Sequence, residues 1–366
     1  MDEKLKRIAS KFVLQGEPIE LIKYGEGHIN DTYRIKCQGK DGKTTKYILQ
    51  RINTNIFKEP KHLMENIFNV TKHIRGKVEA SGGDVMKETL NLVKTKDGKY
   101  YAVEEDSGFY RAYNFIEGAR TYQAVENRGD FYKSGQALGR FQKHLSDFES
   151  FKLHETIKDF HNTEKRFADF KDSLKEDKFS RVEECSEEVA FFLNREEDTK
   201  IINRLIREGK LPIRVTHNDT KYNNVMIDDV TREAVCLLDL DTVMPGVSLY
   251  DFGDSIRSGA TTAEEDEKDL SKVNFDLGLF EAYAKGYLDT ARDFLTEKEI
   301  EFLPFSARIM TYECGMRFLK DYIDGDIYYK VGYPKHNLDR ARNQIKLVKD
   351  MEKKYTKMIE IVRGSI

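Results

Sequence analysis

Thr216-His217-Asn218-Asp219-Thr220-Lys221-Tyr222-Asn223-Asn224 decides the reading of this chain, together with Ala234-Val235-Cys236-Leu237-Leu238-Asp239-Leu240-Asp241 a few residues later. The first stretch fits H-x-D-x-x-x-x-N, with Asp219 and Asn224 five residues apart. The second is an apolar, β-prone run that delivers Asp239 fifteen residues after Asn224. Phosphoryl transfer calls for this set of groups. A carboxylate orients the attacking hydroxyl and accepts its proton. Two further oxygen ligands hold magnesium against the polyphosphate, because Mg²⁺ takes hard oxygen donors and keeps several waters. The plain alternative is that Asp219 caps a turn, Asn224 occupies a loop and Asp239 ends a strand. H-x-D-x-x-x-x-N alone is a weak motif. The strand that ends in Asp239 at this spacing strengthens it.

Outward from this stretch, the chain divides in character. Residues 32–35 and 47–49 are short β-prone runs separated by a turn-rich segment with Asp41-Gly42. Residues 90–93 and 100–103 flank Asp97-Gly98 and predict a hairpin. Between these pairs, Leu63, Ile67, Val70 and Ile74 recur at helical spacing. After Glu117-Gly118 helical patterns dominate, at about 130–148, 163–176, 182–207, 274–294, 297–324 and 338–363, and the β-prone pieces around Asp219 interrupt them. The expected fold class is α+β, with a sheet-containing N-terminal region over 1–116, a hinge near 113–117 and a larger helical region over 117–366.

The 366 residues carry 61 Lys and Arg against 64 Asp and Glu, so the formal net charge is −3. That mixture gives no electrostatic footprint for nucleic acid. The start, MDEKLKRIASKFVLQG, patterns as an amphipathic helix with Leu5, Ile8 and Phe12 on one face, not as the unbroken apolar run of a signal peptide. No stretch is long enough to span a bilayer, and a cytoplasmic protein is expected. Cys37, Cys185, Cys236 and Cys314 form no CxxC pair and read as separate thiols.

The arrangement resembles the aminoglycoside phosphotransferase and choline kinase superfamily, whose members share a two-lobed protein-kinase-like fold. The segments YGEGHINDTY, YILQRINTNIF, RVTHNDTKYNN, LLDLDTVMPG, YDFGDSIRSGA, EDEKDLSKV, ECGMRFLKDYIDGDIYY and YPKHNLDRARNQIKLV closely resemble the bacterial N-acetylhexosamine 1-kinases, from about residue 8 to 355. The resemblance implies that ATP and an N-acetylhexosamine (GlcNAc or GalNAc) are the substrates, with Mg²⁺ as cofactor and no obligate protein partner. It implies Asp219 as catalytic base, Asn224 and Asp239 as magnesium ligands, Arg317 and Tyr328 as sugar contacts, and Asp241 beside the sugar pocket. From spacing alone, Arg317 would pair with Glu313 at i,i+4 on one helix. The resemblance also implies that Asp251, although it opens a DFG triplet, supports the catalytic loop and holds no metal.

Nucleotide anchoring is less legible. Gly25-Glu26-Gly27 can let backbone approach phosphates or make a plain hairpin turn, and it falls short of G-x-G-x-x-G because Asn30 takes the third position. His28 can contact phosphate or cap that turn. Gln50 stands where many members of the superfamily have Lys or Arg, with Arg51 next to it. Strand alternation sends these two side chains to opposite faces, and the sequence leaves open which one faces ATP. Glu65 is a candidate partner on the following helix, or ordinary surface charge. Two rival functions remain. The acceptor can be another small alcohol, of choline, aminoglycoside or homoserine type, although a choline cage in this Trp-free chain would have to come from its 19 Tyr and 22 Phe. Alternatively the chain is a nucleotide-binding pseudokinase, which the missing strand lysine favours and the intact Asp219, Asn224 and Asp239 oppose.

Overall fold

Alternating side chains along two long strands build the N-terminal sheet. The structure, a computed structural model, describes residues 3–25, 30–104 and 108–366. After helix α1 (Glu3–Ala9), strands β1 (Glu17–Lys23), β2 (Asp31–Gln38) and β3 (Thr44–Ile52) run antiparallel. Helix α2 (Pro60–Ala80) and the short α3 (Val85–Glu88) follow, then β4 (Ala102–Glu104) and β5 (Gly108–Asn114). The sheet order is β1-β2-β3-β5-β4. In the β3–β5 pair, Gln50 lies opposite Arg111. Tyr47 and Leu49 of β3 and Tyr110 and Ala112 of β5 pack with Leu5, Ile8 and Phe12 beneath α1. Ile48 and Ile52 lie on the opposite face, which joins the main core through α2 and its buried Leu63, Ile67, Val70 and Ile74.

The turn expected at Asp97-Gly98 forms: Gly98 adopts a positive φ and the Thr95 N–H reaches Lys99 O at 2.7 Å. Its flanks do not pair as a hairpin. Both turn to β5 instead, with Ala102 opposite Tyr110 and the Val93 N–H donating to Ala112 O at 2.8 Å. The central strand β5 out-competes local pairing because it offers a free edge to both.

The chain leaves this sheet at Asn114 and enters a second one, where β6 (Ala119–Arg120) pairs with β8 (Val225–Asp228). Strand β8 also pairs with β9 (Ala234–Leu237), and β7 (Arg214–Thr216) pairs with β10 (Met244–Gly246). Helices supply the rest: α4 (Arg128–His144), α5 (Thr163–Glu176), α6 (Ser186–Leu193), α7 (Glu196–Thr199), α8 (Ile201–Arg207), α9 (Ser248–Gly259), α10 (Leu277–Ala291), α11 (Glu297–Glu301), α12 (Leu303–Ile323) and α13 (His336–Gly364). The expected helix over 182–207 is three short ones. That over 297–324 breaks at Phe302, because Pro304 belongs in a first helical turn and starts α12 afresh. Helix α11 has its own capping box, Thr296 with Glu299. The order is α+β, an N-terminal antiparallel sheet followed by a helical region. Among the described residues no helix is long and apolar enough to cross a membrane. All four cysteines are free thiols.

Candidate active site

The loop after β7 is held by carboxylates from α9. Asn218 sits at φ +66°, a left-handed conformation that Asn tolerates better than most residues. The fully buried Asp251 fixes it there: Oδ1 accepts the Asn218 N–H at 2.7 Å, and Oδ2 accepts the His217 N–H at 3.0 Å and Gln142 Nε2 at 2.9 Å. Burial raises the Asp251 carboxyl above the ordinary range, and the neighbouring His217 and these bonds oppose that rise. Asp254, one helical turn on, accepts the Thr220 N–H at 2.9 Å. The DFG triplet is thus a loop support. Its glycine serves packing, since a Cβ on Gly253 would collide with the Ser306 carbonyl of α12.

The loop presents Asp219, partly open to solvent. Asn224 Nδ2 donates to Asp219 O at 2.8 Å and to Oδ2 at 3.2 Å, and Lys221 Nζ lies 3.1 Å from Oδ1. The Asp219 N–H donates to His217 Nδ1 at 3.3 Å while His217 Nε2 donates to Leu238 O at 2.7 Å, which sets the imidazole tautomer. Asp239 follows β9 at φ +58° and forms no side-chain hydrogen bond among the described residues. Desolvation in the cleft, then the charges of Asp241 and Asp219, push its carboxyl up to about 7. Solvent does reach this side chain, which leaves carboxylate repulsion as the firmer cause.

Such repulsion is what a divalent cation relieves. The two oxygens that suit one are the Asp239 carboxylate and Asn224 Oδ1, which accepts no hydrogen bond among the described residues while Nδ2 donates to Asp219. Among the described residues no three His, Cys, Asp or Glu side chains form a metal cage. Magnesium does not require one, since one or two carboxylates plus phosphate oxygens hold it. The donor set therefore fits.

Asp241 turns toward the N-terminal sheet. It forms a buried ion pair with Arg111 of β5 and accepts Asn30 Nδ2 at 2.6 Å. Arg111 is 1% exposed, its Nε donates to Gln50 Oε1 at 3.0 Å, and Gln50 Nε2 donates to Thr32 Oγ1 at 3.1 Å. Gln50 therefore faces the cleft, whereas Arg51 points away and pairs with Asp31 at 3.5 Å. Glu65 meets His154 at 2.7 Å and, among the described residues, no sheet cation. Gly25 has φ +75°, and a Cβ there would meet no atom of the described residues within 4 Å. Gly27 and His28 lie outside the described residues.

Arg317 occupies a different corner. Its guanidinium lies 5.4 Å from the Phe160 ring and 5.8 and 5.7 Å from those of Tyr328 and Tyr329. It does not pair with Glu313. That buried carboxylate instead accepts His161 Nδ1 at 2.8 Å and Thr163 Oγ1 at 2.6 Å. His161 Nε2 reaches Asn218 O at 3.0 Å, which ties α12 to the loop beside Asp219. Arg166 lies close by, its pKa lowered by burial and by the charge of Arg317. Tyr328 is exposed, in a loop whose Ile327, Tyr328 and Tyr329 N–H groups all donate to Asp321. Asp241 is thus paired with β5, whereas Arg317 lies on α12, which Glu313 and His161 tie to the Asp219 loop.

The phosphotransferase enzyme family model matches residues 20–294, more than half of the chain. The chain belongs to this phosphotransferase family. Among solved structures, it is similar to a microcompartment-associated aminopropanol kinase (TM-score 0.63, 13% identity, covering 97% of this chain and 98% of that one). It is likewise similar to an amicoumacin kinase in complex with AMP-PNP and Ca²⁺ (0.61, 12%, 97% and 94%). A Plasmodium vivax ethanolamine kinase matches less closely (0.53, 14%, 89% and 82%). At these identities the likeness is one of fold, the protein-kinase-like fold of the family.

This phosphotransferase also brings to its site residues that no local motif announces. Arg111 arrives from β5 through strand register. His161 lies in an irregular stretch before α5. Lys221, inside the quoted motif, could have been found from its place two residues after Asp219.

Proposed function

We propose that this phosphotransferase moves the γ-phosphoryl group of ATP to the anomeric hydroxyl of N-acetylglucosamine or N-acetylgalactosamine, giving the hexosamine 1-phosphate and ADP. The nucleotide binds between a lobe of residues 1–116 and one of residues 117–366. The single observation that carries the acceptor class is the corner around Phe160: the Arg317 guanidinium lies 5.4 Å from its ring, Arg166 Nη2 donates to its carbonyl at 3.1 Å, and Tyr328 and Tyr329 adjoin Arg317. Like charge there disfavours an ammonium-bearing acceptor. A neutral sugar suits it, because ring hydroxyls and an acetamido carbonyl accept from guanidinium and the rings pack on the pyranose face.

In this reading Asp219 takes the proton of the anomeric hydroxyl as its oxygen bonds to the γ-phosphorus and the bond to the β-γ bridging oxygen breaks. Asn224 orients Asp219 through its Nδ2 bond and, with Asp239, holds Mg²⁺, which neutralises charge on the polyphosphate. Asp251 and His161 keep the loop in place.

The test is ADP release over a panel of free sugars, aminopropanol, ethanolamine, choline, homoserine and aminoglycosides. N-acetylglucosamine and N-acetylgalactosamine should give the highest kcat/KM. A cationic acceptor that turns over faster than both would overturn the assignment of acceptor.

A further inference from the structure

Kinases of this fold set a cation on β3 against the nucleotide phosphates, and here β3 offers Gln50 at the cleft face. The cation is present nonetheless, one strand over. Arg111 stands directly opposite Gln50 in the β3–β5 register. Its side chain lies on the same face, because Gln50 Oε1 accepts from its Nε at 3.0 Å. The guanidinium is fixed on a second side by Tyr113, whose ring centre is 5.4 Å away. It points at the carboxylates after β9, pairing with Asp241 and feeling the charge of Asp239.

The pair with Asp241 is incomplete. Arg111 Nη1 and Asp241 Oδ1 meet as a buried ion pair, and neither atom has a further partner among the described residues. No hydrogen bond engages Nη2 among the described residues either. A buried guanidinium with donors unspent, beside the carboxylate proposed to hold magnesium, meets the requirement for a polyphosphate oxygen. Phosphate accepts from both arms of the guanidinium fork, whereas Asp241 meets Arg111 through Nη1.

We propose that Arg111 supplies from β5 the phosphate-binding cation that β3 lacks, with Gln50 as the residue that aims it. Asp241 holds the guanidinium before nucleotide binds, and Asn30 continues to satisfy Asp241 when the fork turns to phosphate. The Gln50–Arg111 couple thus replaces a strand lysine and its helix glutamate, which explains why Glu65 bonds elsewhere. The inference concerns the nucleotide and stands whichever alcohol is the acceptor.

The experiment measures binding of AMP-PNP by calorimetry, with magnesium and without acceptor, and follows thermal unfolding of each nucleotide-free variant. Arg111→Met alone strands Asp241 and can unfold the protein, so the main variant neutralises both partners, Arg111→Met with Asp241→Asn. It should unfold near the parent temperature and bind AMP-PNP roughly 10–100-fold more weakly, the loss of charge-assisted hydrogen bonds. Asp241→Asn alone should bind within a few-fold of the parent. Adding Gln50→Lys to the double variant returns a cation to β3 and should recover part of the affinity. Parental affinity in the double variant would overturn the proposal. An equal loss in Asp241→Asn alone would assign the effect to Asp241 and also overturn it. Failure of the lysine to recover any affinity in a folded protein would refute the equivalence of the two strand positions. Because no acceptor is present, none of these outcomes bears on the sugar assignment.

Discussion

Asp251 Oδ1 accepts the backbone N–H of Asn218 at 2.7 Å, so the residue before the proposed base hangs from the first turn of α9. An Asn at 251 keeps one acceptor oxygen and turns an NH₂ group toward backbone donors. Asp251→Asn should therefore lose roughly 1–3 kcal/mol, the cost of leaving buried donors unmade. The loss should appear as a lower Tm and a lower kcat, with the magnesium dependence of the folded enzyme unchanged.

Asp239→Asn should show the opposite pattern. Its side chain reaches solvent and makes no hydrogen bond among the described residues, and neutralising it relieves repulsion from Asp241 and Asp219, so Tm should hold or rise slightly. With the anionic oxygen gone, the magnesium concentration for half-maximal activity should rise several-fold or more. Titration of magnesium against both variants separates them. A stronger magnesium effect at Asp251 would exchange the two roles.

Asp219→Asn should lower kcat by roughly 10² to 10⁴, the usual contribution of a general base. Tm and AMP-PNP affinity should stay near parental, because the side chain is partly exposed and its bonds to Asn224 and Lys221 lie at the loop surface. Parental kcat would remove Asp219 from the mechanism and return the nucleotide-binding pseudokinase to consideration.

Glu313 links stability to pH. Burial acts to raise its carboxyl, but the bond and charge of His161, with Arg317 and Thr163, win, and the carboxyl is held below its ordinary 4.5. In the unfolded chain that restraint is absent, so between the two values the unfolded state binds more protons and stability falls as pH falls. The contribution is complete above about 4.5 and is lost as acid titrates the folded carboxyl. Glu313→Gln should thus be less stable than the parent at pH 6–7, by roughly 1–3 kcal/mol, and the gap should narrow toward pH 3. A gap that widens on acidification would contradict the sign.

What was legible in the sequence follows the range of the interactions. Asp219, Asn224 and Asp239 sit on one loop and two adjoining strands, so residue spacing fixes their geometry and a motif can report it. Helices α2, α10 and α13 were readable because each buries one stripe. Strand β5 was not: Tyr110 to Tyr113 are buried on both faces, which leaves no alternation to detect. With β5 unseen, Arg111 had no reason to draw notice, and its partner Asp241 lies 130 residues away along the chain. The spacing of Glu313 and Arg317 predicted a helical ion pair, but a better partner from outside the helix, His161, claimed the carboxylate.

Regiochemistry tests the acceptor assignment most sharply. A fold that supplies positioning and charge stabilisation can phosphorylate many hydroxyls, and the pocket decides which oxygen reaches the base. If the oxygen beside Asp219 is anomeric, methyl glycosides of N-acetylglucosamine and N-acetylgalactosamine should be inert even at high concentration, since that oxygen then carries a methyl group. The product should lose its reducing end and release phosphate readily in mild acid. Arg317→Ala removes a guanidinium that packs on three rings and whose charge helps hold Glu313 ionised, so Tm should fall modestly. In the folded protein kcat/KM for the sugar should fall by roughly 10–100-fold as a charge-assisted hydrogen bond is lost. Acceptor-free hydrolysis of ATP should persist in that variant, because the proposed contact is to sugar and not to nucleotide. A methyl glycoside turned over near the rate of the free sugar would move the chemistry to another hydroxyl. Equal losses of sugar transfer and ATP hydrolysis on removing Arg317 would place that guanidinium on the nucleotide side instead.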